Sequence, residues 1–192
     1  PYDPAKVVID YPTGDVAART TRTPDILLLS AESLRADVLG PELMPRTWAL
    51  AQKHCSVAPR HYATGHTTEY GTFGLLYSLD SYHYEPFLAA DVPSWPLRVL
   101  AASGYRTAGV SSSALQSWKG AGFMTRQFDE YEERLDDASW EVDQQVADRA
   151  AAWLDRDGAD FVFAFFNATH HNYLYPPEFE RFTPALPSDY DH

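Results

Sequence analysis

The segment Pro24-Asp-Ile-Leu-Leu-Leu-Ser-Ala-Glu-Ser-Leu-Arg-Ala-Asp37 decides the fold class, because a short apolar run leads directly into a polar turn. The run covers residues 26–29 and is typical of a strand buried on both faces of a parallel sheet. Residues 105–110 are also predicted to form a strand that ends in a polar turn, and residues 160–166 are predicted to form another buried strand. We therefore predict three strands that belong to one sheet and point the same way.

Helices are predicted between these strands. Pro45 at a first helical position predicts a helix over residues 45–54, and Gly104 closes another over residues 95–102. Apolar residues recur at helical spacing in residues 70–77 and 142–154. Asp137 or Ser139 caps the last of these helices, and Gly158 ends it. This alternation of strands and helices indicates an α/β fold with a mostly parallel sheet, in which ligands bind at the carboxyl ends of the strands.

Composition and charge exclude several classes of protein. The chain has 192 residues, of which 45% are hydrophobic, so long disorder is excluded. The 15 Lys and Arg against 27 Asp and Glu give a net charge of −12, which argues against binding to a nucleic-acid backbone. A single cysteine, Cys55, excludes an internal disulfide framework. No apolar run approaches the roughly 20 residues of a membrane span.

Other segments carry expectations about burial. Residues 56–62 suggest a short strand, Cys55 an inert buried thiol, and the acidic residues 129–137 a solvated surface. Residues 1–23 suggest an irregular lead-in, because they are rich in proline. Core positions are expected for three tryptophans, namely Trp118, Trp140 and Trp153.

Polar groups that could do chemistry lie just after the predicted strands or in the turn that precedes a helix. We expect them to converge on one edge of the sheet. They are Glu32, Thr67 and Thr68, Ser111 to Ser113, and His170 with His171.

Each of these groups has a structural and a functional interpretation. Glu32 is either a metal ligand or a cap for the following turn. Thr67 and Thr68 lie where a loop enters a helix, so they are either N-caps or nucleophiles that need a metal or a base. Gly65 would let the chain approach an anion closely. His170 is either a hydrogen-bonded histidine or part of a site.

The order of the motifs resembles the alkaline phosphatase–sulfatase superfamily. Residues 24–37 resemble its opening strand and metal-ligand turn, and Tyr62-Ala-Thr-Gly-His-Thr-Thr-Glu-Tyr-Gly-Thr-Phe-Gly-Leu-Leu-Tyr77 resembles its nucleophile turn and helix. Phe165-Phe-Asn-Ala-Thr-His-His-Asn-Tyr173 resembles its substrate-histidine segment. The variant with Glu-Ser-Leu after the first strand is similar to lipoteichoic acid synthases, phosphoethanolamine transferases and the inner-membrane proteins that regulate cardiolipin and lipopolysaccharide.

The resemblance implies a fold, a site and a reaction. It implies an alkaline phosphatase-like sheet with helices on both faces, with Glu32 and Thr68 as ligands of a divalent metal (Mn, Zn or Mg). Thr68 would be the nucleophile, Thr67 the fallback, and His170 the contact to the transferred group. The reaction would be transfer or hydrolysis of a phosphate ester with a phosphoglycerol or phosphoethanolamine type of head group.

Three features of the sequence keep alternatives open. The chain lacks the Cys-x-Pro-x-Arg motif of true sulfatases, so a sulfuric ester hydrolase is disfavoured. It also lacks the later Asp-His-Gly of the family, since Asp191-His192 comes too early and follows no predicted strand. The turn at Glu32 has one carboxylate where hydrolases of the superfamily often have two, which favours the other alternative, a non-catalytic sensor or scaffold that binds lipid head groups.

The resemblance also implies where such a protein works. We expect residues 24–192 to be the N-terminal part of a longer sulfatase-like catalytic domain. That domain would lie on the extracytoplasmic, periplasmic face of a bacterial inner membrane, held there by a segment outside this chain. Its partner would be a lipid or polymer head group, and nucleic acid is not expected.

Overall fold

A four-stranded parallel sheet forms the centre of the computed structural model, which describes residues 3–17, 20, 22–135, 140–171, 173 and 175–181. The strands are β1 (Ile26–Ala31), β2 (Arg106–Ser111), β3 (Glu130–Glu133) and β4 (Asp160–Phe166). Their order across the sheet is β1-β4-β2-β3, and every neighbouring pair is parallel. The three predicted strands are confirmed, and so is their common direction.

Six α-helices surround the sheet in the described residues. They are α1 (Pro45–His54), α2 (Thr68–Tyr77), α3 (Tyr84–Ala90), α4 (Trp95–Ala102), α5 (Gly122–Thr125) and α6 (Trp140–Leu154). The sequence predicted α1, α2, α4 and α6, whereas the shorter α3 and α5 were missed. The predicted cap of α6 at Asp137 or Ser139 lies outside the described residues.

The central strand β4 separates two hydrophobic cores. Phe161, Phe163 and Phe165 point into the larger core, which the apolar faces of α2 to α5 complete. Val162 and Ala164 point the other way and pack against α6. Helices therefore cover both faces of the sheet, which explains why β4 reads as a continuous apolar run.

The first strand does not fit the prediction of burial on both faces. Its side chains alternate between half-buried and exposed, and Leu29 is 58% exposed. The reason is its place at the edge, where it pairs only with β4. Within the described residues, α6 packs over β4 and β2 and leaves the outward face of β1 uncovered.

The acidic segment was expected to be a solvated surface, and this was wrong in part. Residues Glu130–Glu133 form β3, which pairs with β2 and is half-buried. Arginines neutralise its carboxylates, with Arg156 on Glu130 and Arg149 on Glu132. Alternation of apolar residues does not mark this strand, because ion pairs replace hydrophobic burial on its outer face.

The remaining burial expectations give mixed results. Trp153 is buried as expected, whereas Trp118 and Trp140 are substantially exposed. Residues 56–62 form no strand, and Cys55 is exposed. The reason is that α1 contributes little to the core, since Ala51 is its one buried residue, and the chain after it runs along the surface.

Candidate active site

Thr68 and Glu32 meet at the carboxyl edge of the sheet. Thr68 is the first residue of α2, and Glu32 directly follows β1. Oγ1 of Thr68 donates a hydrogen bond to Oε1 of Glu32 at 3.2 Å, and both residues are half-buried. The free N–H groups and the dipole of a helix N-terminus favour an anion at this place. The site therefore combines a hydroxyl, a carboxylate and an anion-binding helix end.

The loop before α2 folds back over the helix. Oγ1 of Thr64 donates a hydrogen bond to the carbonyl of Tyr70, and Oγ of Ser81 donates one to the carbonyl of Thr64. A Cβ atom at Gly65 would lie 2.4 Å from Cβ of Tyr70, so only glycine fits there. Close packing against Tyr70 explains this glycine; the close approach to an anion that the sequence suggested is not needed to explain it.

A cleft of about 410 Å³ opens above the Thr68–Glu32 pair. Its walls come from the turn after β1, from the loop before α2 and from the exposed side of the first turns of α2. The lining consists of residues 30–34, residues 61–68, Gly71, Thr72, Gly74, Leu75 and Phe165. Among these lining residues, all in the described part of the chain, one hydroxyl–carboxylate hydrogen bond is present, between Thr68 and Glu32.

The two adjacent threonines have different surroundings. Oγ1 of Thr67 is buried and makes no hydrogen bond within the described residues. It lies near enough to the carboxylate of Glu69 to help lower the pKa of that group, without reaching hydrogen-bond geometry. Thr67 is the N-cap of α2 by position, yet its side chain forms no cap. Of the two hydroxyls, the one that meets Glu32 is that of Thr68.

The loop after β4 joins the same edge of the sheet. The N–H of Glu32 donates to the carbonyl of Phe166, and Oγ1 of Thr169 donates to the carbonyl of Glu32 at 2.6 Å. His170 follows on this loop, but it is exposed and does not line the cleft. The structure brings Glu32 and Thr68 together and leaves the proposed role of His170 a prediction.

The serines after β2 hold the strand ends together. Oγ of Ser112 donates to the carboxylate of Asp143 on α6, which also accepts hydrogen bonds from the backbone N–H groups of Asn167 and Ala168. Asp143 thus ties the loop after β4 to the loop after β2. Residues 111–113 converge on the carboxyl edge as expected, but Ser112 is used in this contact and none of them lines the cleft.

Sequence reasoning missed three residues near the site. His61 and His66 line the cleft, and the signal for His66 was its place in the turn just before the two threonines. Glu69, the residue after Thr68, is buried and contacts Trp118 and Lys119. No local pattern indicates that contact, because the partners lie 49 and 50 positions further along the chain.

The environment of Glu69 keeps it charged. Burial raises the pKa of the Glu69 carboxyl. Hydrogen bonds from its own N–H, from Trp118 and from Lys119 together lower the pKa by more than burial raises it, so the pKa lies below its usual value. A carboxylate in such a place needs these donors, because a buried charge without partners is strongly unfavourable.

Glu32 and Thr68 fit part of a metal site. Two oxygens 3.2 Å apart can share one cation, since metal–oxygen bonds measure about 2.0 to 2.2 Å. In the described part of the chain, however, no three His, Cys, Asp or Glu side chains lie together so that they could hold a metal ion. The residues present therefore supply two oxygen ligands, which a complete site would need to supplement.

Comparison with known families identifies the chain. The model of the family described as Sulfatase matches residues 24–191. The chain belongs to the sulfatase family. Its four-stranded parallel sheet with flanking helices is accordingly the alkaline phosphatase-like fold that the motifs implied, and the resemblance found in the sequence is confirmed.

Two curated proteins are similar to this member of the sulfatase family. The inner membrane protein YejM of Salmonella typhimurium is 25% identical over 194 residues, which cover 98% of this chain and 32% of YejM. An uncharacterized protein of Haemophilus influenzae is 31% identical over 99 residues, which cover 51% of this chain and 17% of that protein. The chain therefore spans at most a third of the length of these relatives.

Solved structures share the fold. The C-terminal periplasmic domain of EcEptC from Escherichia coli superposes with a TM-score of 0.60 and 18% identity, over 83% of this chain and 47% of that domain. The same domain in complex with Zn gives a TM-score of 0.57 and 16% identity, over 83% of this chain and 48% of the other.

Helices long and apolar enough to cross a membrane are not found among the described residues.

Proposed function

We propose that this chain supplies the nucleophile and two metal ligands for the transfer or hydrolysis of phosphate esters. Thr68 is the nucleophile, and Glu32 and Thr68 are the ligands. The observation that carries the proposal is the hydrogen bond between Oγ1 of Thr68 and Oε1 of Glu32 at the N-terminus of α2. A hydroxyl, a carboxylate and a helix end that favours anions are the groups that attack on a phosphate ester requires.

The bond changes follow from the position of Thr68. Its Oγ1 forms a bond to phosphorus, the bond from phosphorus to the leaving alcohol breaks, and a phosphothreonine results. The hydroxyl proton passes to solvent, and the leaving alkoxide takes up a proton. Attack by water or by an acceptor alcohol then breaks the bond from Thr68 to phosphorus and restores the hydroxyl.

The chain's own residues prepare this step. Glu32 accepts the hydrogen bond of the Thr68 hydroxyl and so fixes its direction. The first turn of α2 presents backbone N–H groups to the phosphate oxygens. A divalent cation held by Glu32 and Thr68 would supply positive charge that favours the alkoxide form of the nucleophile. Mn, Zn and Mg are the candidates, and the Zn complex of the EcEptC domain is a precedent within the fold.

The relatives support a proposed setting for the chain. YejM is an inner membrane protein and the EcEptC domain is periplasmic, so we propose that residues 24–192 belong to an extracytoplasmic domain on a membrane-anchored protein. Because the chain covers less than half of the EcEptC domain, the remaining metal ligands would come from a longer chain. The substrate would be a lipid or polymer head group.

One observation favours a second candidate, a non-catalytic sensor. Among the described residues, no three of the usual ligand side chains meet at the site so that they could hold a metal ion. A protein that keeps the cleft and the helix N-terminus could bind a head group without turnover. A sulfuric ester hydrolase is less well supported, because the chain lacks Cys-x-Pro-x-Arg.

The test compares wild type, Thr68→Ala and Thr67→Ala in the intact protein. The substrates are bis(4-nitrophenyl) phosphate and vesicles of phosphatidylglycerol or phosphatidylethanolamine. Activity is measured after chelation and after return of Mn, Zn or Mg separately. We expect Thr68→Ala to lose activity by about a hundredfold or more, while Thr67→Ala retains most of it.

Other outcomes would decide against the proposal. Full activity in Thr68→Ala would refute the nucleophile. Binding of head groups by a wild type that turns over neither substrate with any of the three metals would favour the sensor.

A further inference from the structure

Glu69 is a buried carboxylate to which the proposed reaction assigns no role. It is 3% exposed and follows Thr68 directly in the first turn of α2. A charge is buried at such a place only when partners offset the loss of hydration. The identity of these partners indicates what the residue does.

Both partners come from one loop after β2. Oε2 of Glu69 accepts a hydrogen bond from Nε1 of Trp118 at 2.9 Å, and Oε1 forms an ion pair with Nζ of Lys119 at 3.2 Å. Nζ of Lys119 also lies 5.2 Å from the centre of the Trp118 ring. The three side chains therefore form one cluster, which joins the loop to the helix that begins with Thr68.

The backbone of this loop is shaped to make the contact. Lys119 has a φ of 40°, and Gly120 has a φ of 82°, a left-handed value that favours glycine. The hydroxyl of Tyr84 donates a hydrogen bond to the carbonyl of Lys119 at 2.8 Å. A Cβ at Gly120 would lie 2.7 Å from the side chain of Leu88. The loop is thus held against α3 as well as against Glu69.

The partners of Glu69 reach the surface. Trp118 is 47% exposed and the Lys119 side chain 54% exposed, so the cluster joins a buried carboxylate to groups that a ligand can reach. The buried carboxylate orients an aromatic ring and an ammonium group that face solvent. Both contact Glu69 in the first turn of α2 but do not line the cleft, so a substrate that reaches them from Thr68 extends beyond the cleft.

We propose that Glu69 is a positioning residue that holds Trp118 and Lys119 beside the N-terminus of α2, so that an anionic substrate at Thr68 meets a fixed cation and a fixed aromatic face. The inference rests on the proposed function for its substrate. Glu69 itself touches neither the substrate nor the reacting atoms in this proposal.

The experiment measures the position of Trp118 and the kinetics separately, in the intact protein. Biosynthetic labelling with 5-fluorotryptophan gives ¹⁹F resonances, and Trp118→Phe assigns the one that belongs to Trp118. Glu69→Gln keeps the size of the side chain and removes its charge. The matched control is Glu85→Gln, an exposed glutamate in the first turn of α3.

We expect Glu69→Gln to shift the Trp118 resonance and to raise KM for bis(4-nitrophenyl) phosphate by about tenfold, with kcat within about twofold. The reason is that Lys119 and Trp118 contact the substrate when it binds, and the chemical step at Thr68 does not depend on them. Glu85→Gln should change neither quantity. Lys119→Met should raise KM similarly, and adding Glu69→Gln to it should raise KM little further, because Glu69 acts through its partners.

Several results would overturn the proposal. An unchanged Trp118 resonance and unchanged KM in folded Glu69→Gln would do so, and so would a fall in kcat with constant KM. If Glu69→Gln does not fold, the exposed partners decide, since an unchanged KM in Lys119→Met and in Trp118→Phe contradicts the proposal.

The proposed function can fail separately. If wild type does not turn over the reporter, inorganic phosphate is titrated against the Trp118 resonance. Weaker phosphate binding in Glu69→Gln than in Glu85→Gln would then support the positioning role, and equal binding would refute it.

Discussion

The hydroxyl of Thr68 lies 3.2 Å from the carboxylate of Glu32, although 36 positions separate them in the chain. One residue begins a helix and the other follows a strand, so both stand at an end of a regular element. The helix and the strand therefore hold the two side chains in place, and the first prediction tests their contact.

Glu32→Gln should remove most of the metal-dependent activity of the intact protein and leave the fold in place. Glutamine keeps an acceptor for the Thr68 hydroxyl but loses the negative charge that a cation requires. We expect about a hundredfold loss of activity, since even the outer partners of metal ligands contribute about 10- to 100-fold. Metal content after dialysis checks the cause, and wild-type metal content in Glu32→Gln would contradict it.

Asp143→Ala should destabilise the carboxyl edge of the sheet. The variant loses three hydrogen bonds, from Ser112, Asn167 and Ala168. The N–H of Asn167 keeps its bond to Oγ of Ser112, whereas the N–H of Ala168 loses its acceptor. We expect a loss of about 2 kcal/mol in the free energy of unfolding, measured in urea. Asp148→Ala on the exposed side of α6 is the matched control, and an equal loss in both variants would refute the role of Asp143.

Two neighbouring leucines of β1 should differ in their contribution to stability. Leu28 packs against the larger core, whereas Leu29 points to the uncovered face. For the 192-residue chain we expect Leu28→Ala to cost about 2 kcal/mol and Leu29→Ala less than about 0.5 kcal/mol. A large loss in Leu29→Ala would show that another part of the molecule covers this face.

Acid should weaken the contact between Glu130 and Arg156. The hydrogen bond from Arg156 holds the pKa of Glu130 below its ordinary value of 4.5. Burial raises this pKa, whereas a hydrogen bond from Trp153 and the positive charge of Arg149 lower it. Arg156 also pairs with Asp160. A lowered pKa contributes stability that is fully present above pH 4.5 and is lost as the pH falls through the folded-state pKa.

Urea unfolding of wild type and Glu130→Gln between pH 7 and pH 3 tests this. We expect wild type to be the more stable near neutral pH and the difference to shrink below about pH 4.5. A difference that stays constant across the whole range would contradict the prediction.

Sequence patterns predicted the fold where burial is simple. Residues 160–166 form a strand buried on both faces, so their composition alone indicated it. The edge strand β1 and the acidic strand β3 were described less well. The apolar run of β1 predicted burial on both faces, but the strand lies at the edge and is half-buried on one face only. No apolar pattern marks β3, because ion pairs replace apolar contacts there.

The local sequence by itself determined the strands β1, β2 and β4, the helix that begins at Thr68 and the polar turn at Glu32, because each depends on the composition of neighbouring residues. Tertiary structure decided the strand order, the 3.2 Å contact of Thr68 with Glu32 and the burial of Glu69 against Trp118 and Lys119. The physical reason is that a buried charge or a shared hydrogen bond needs partners from distant segments. Those segments meet only when the hydrophobic cores on the two faces of the sheet have brought the strands and helices together.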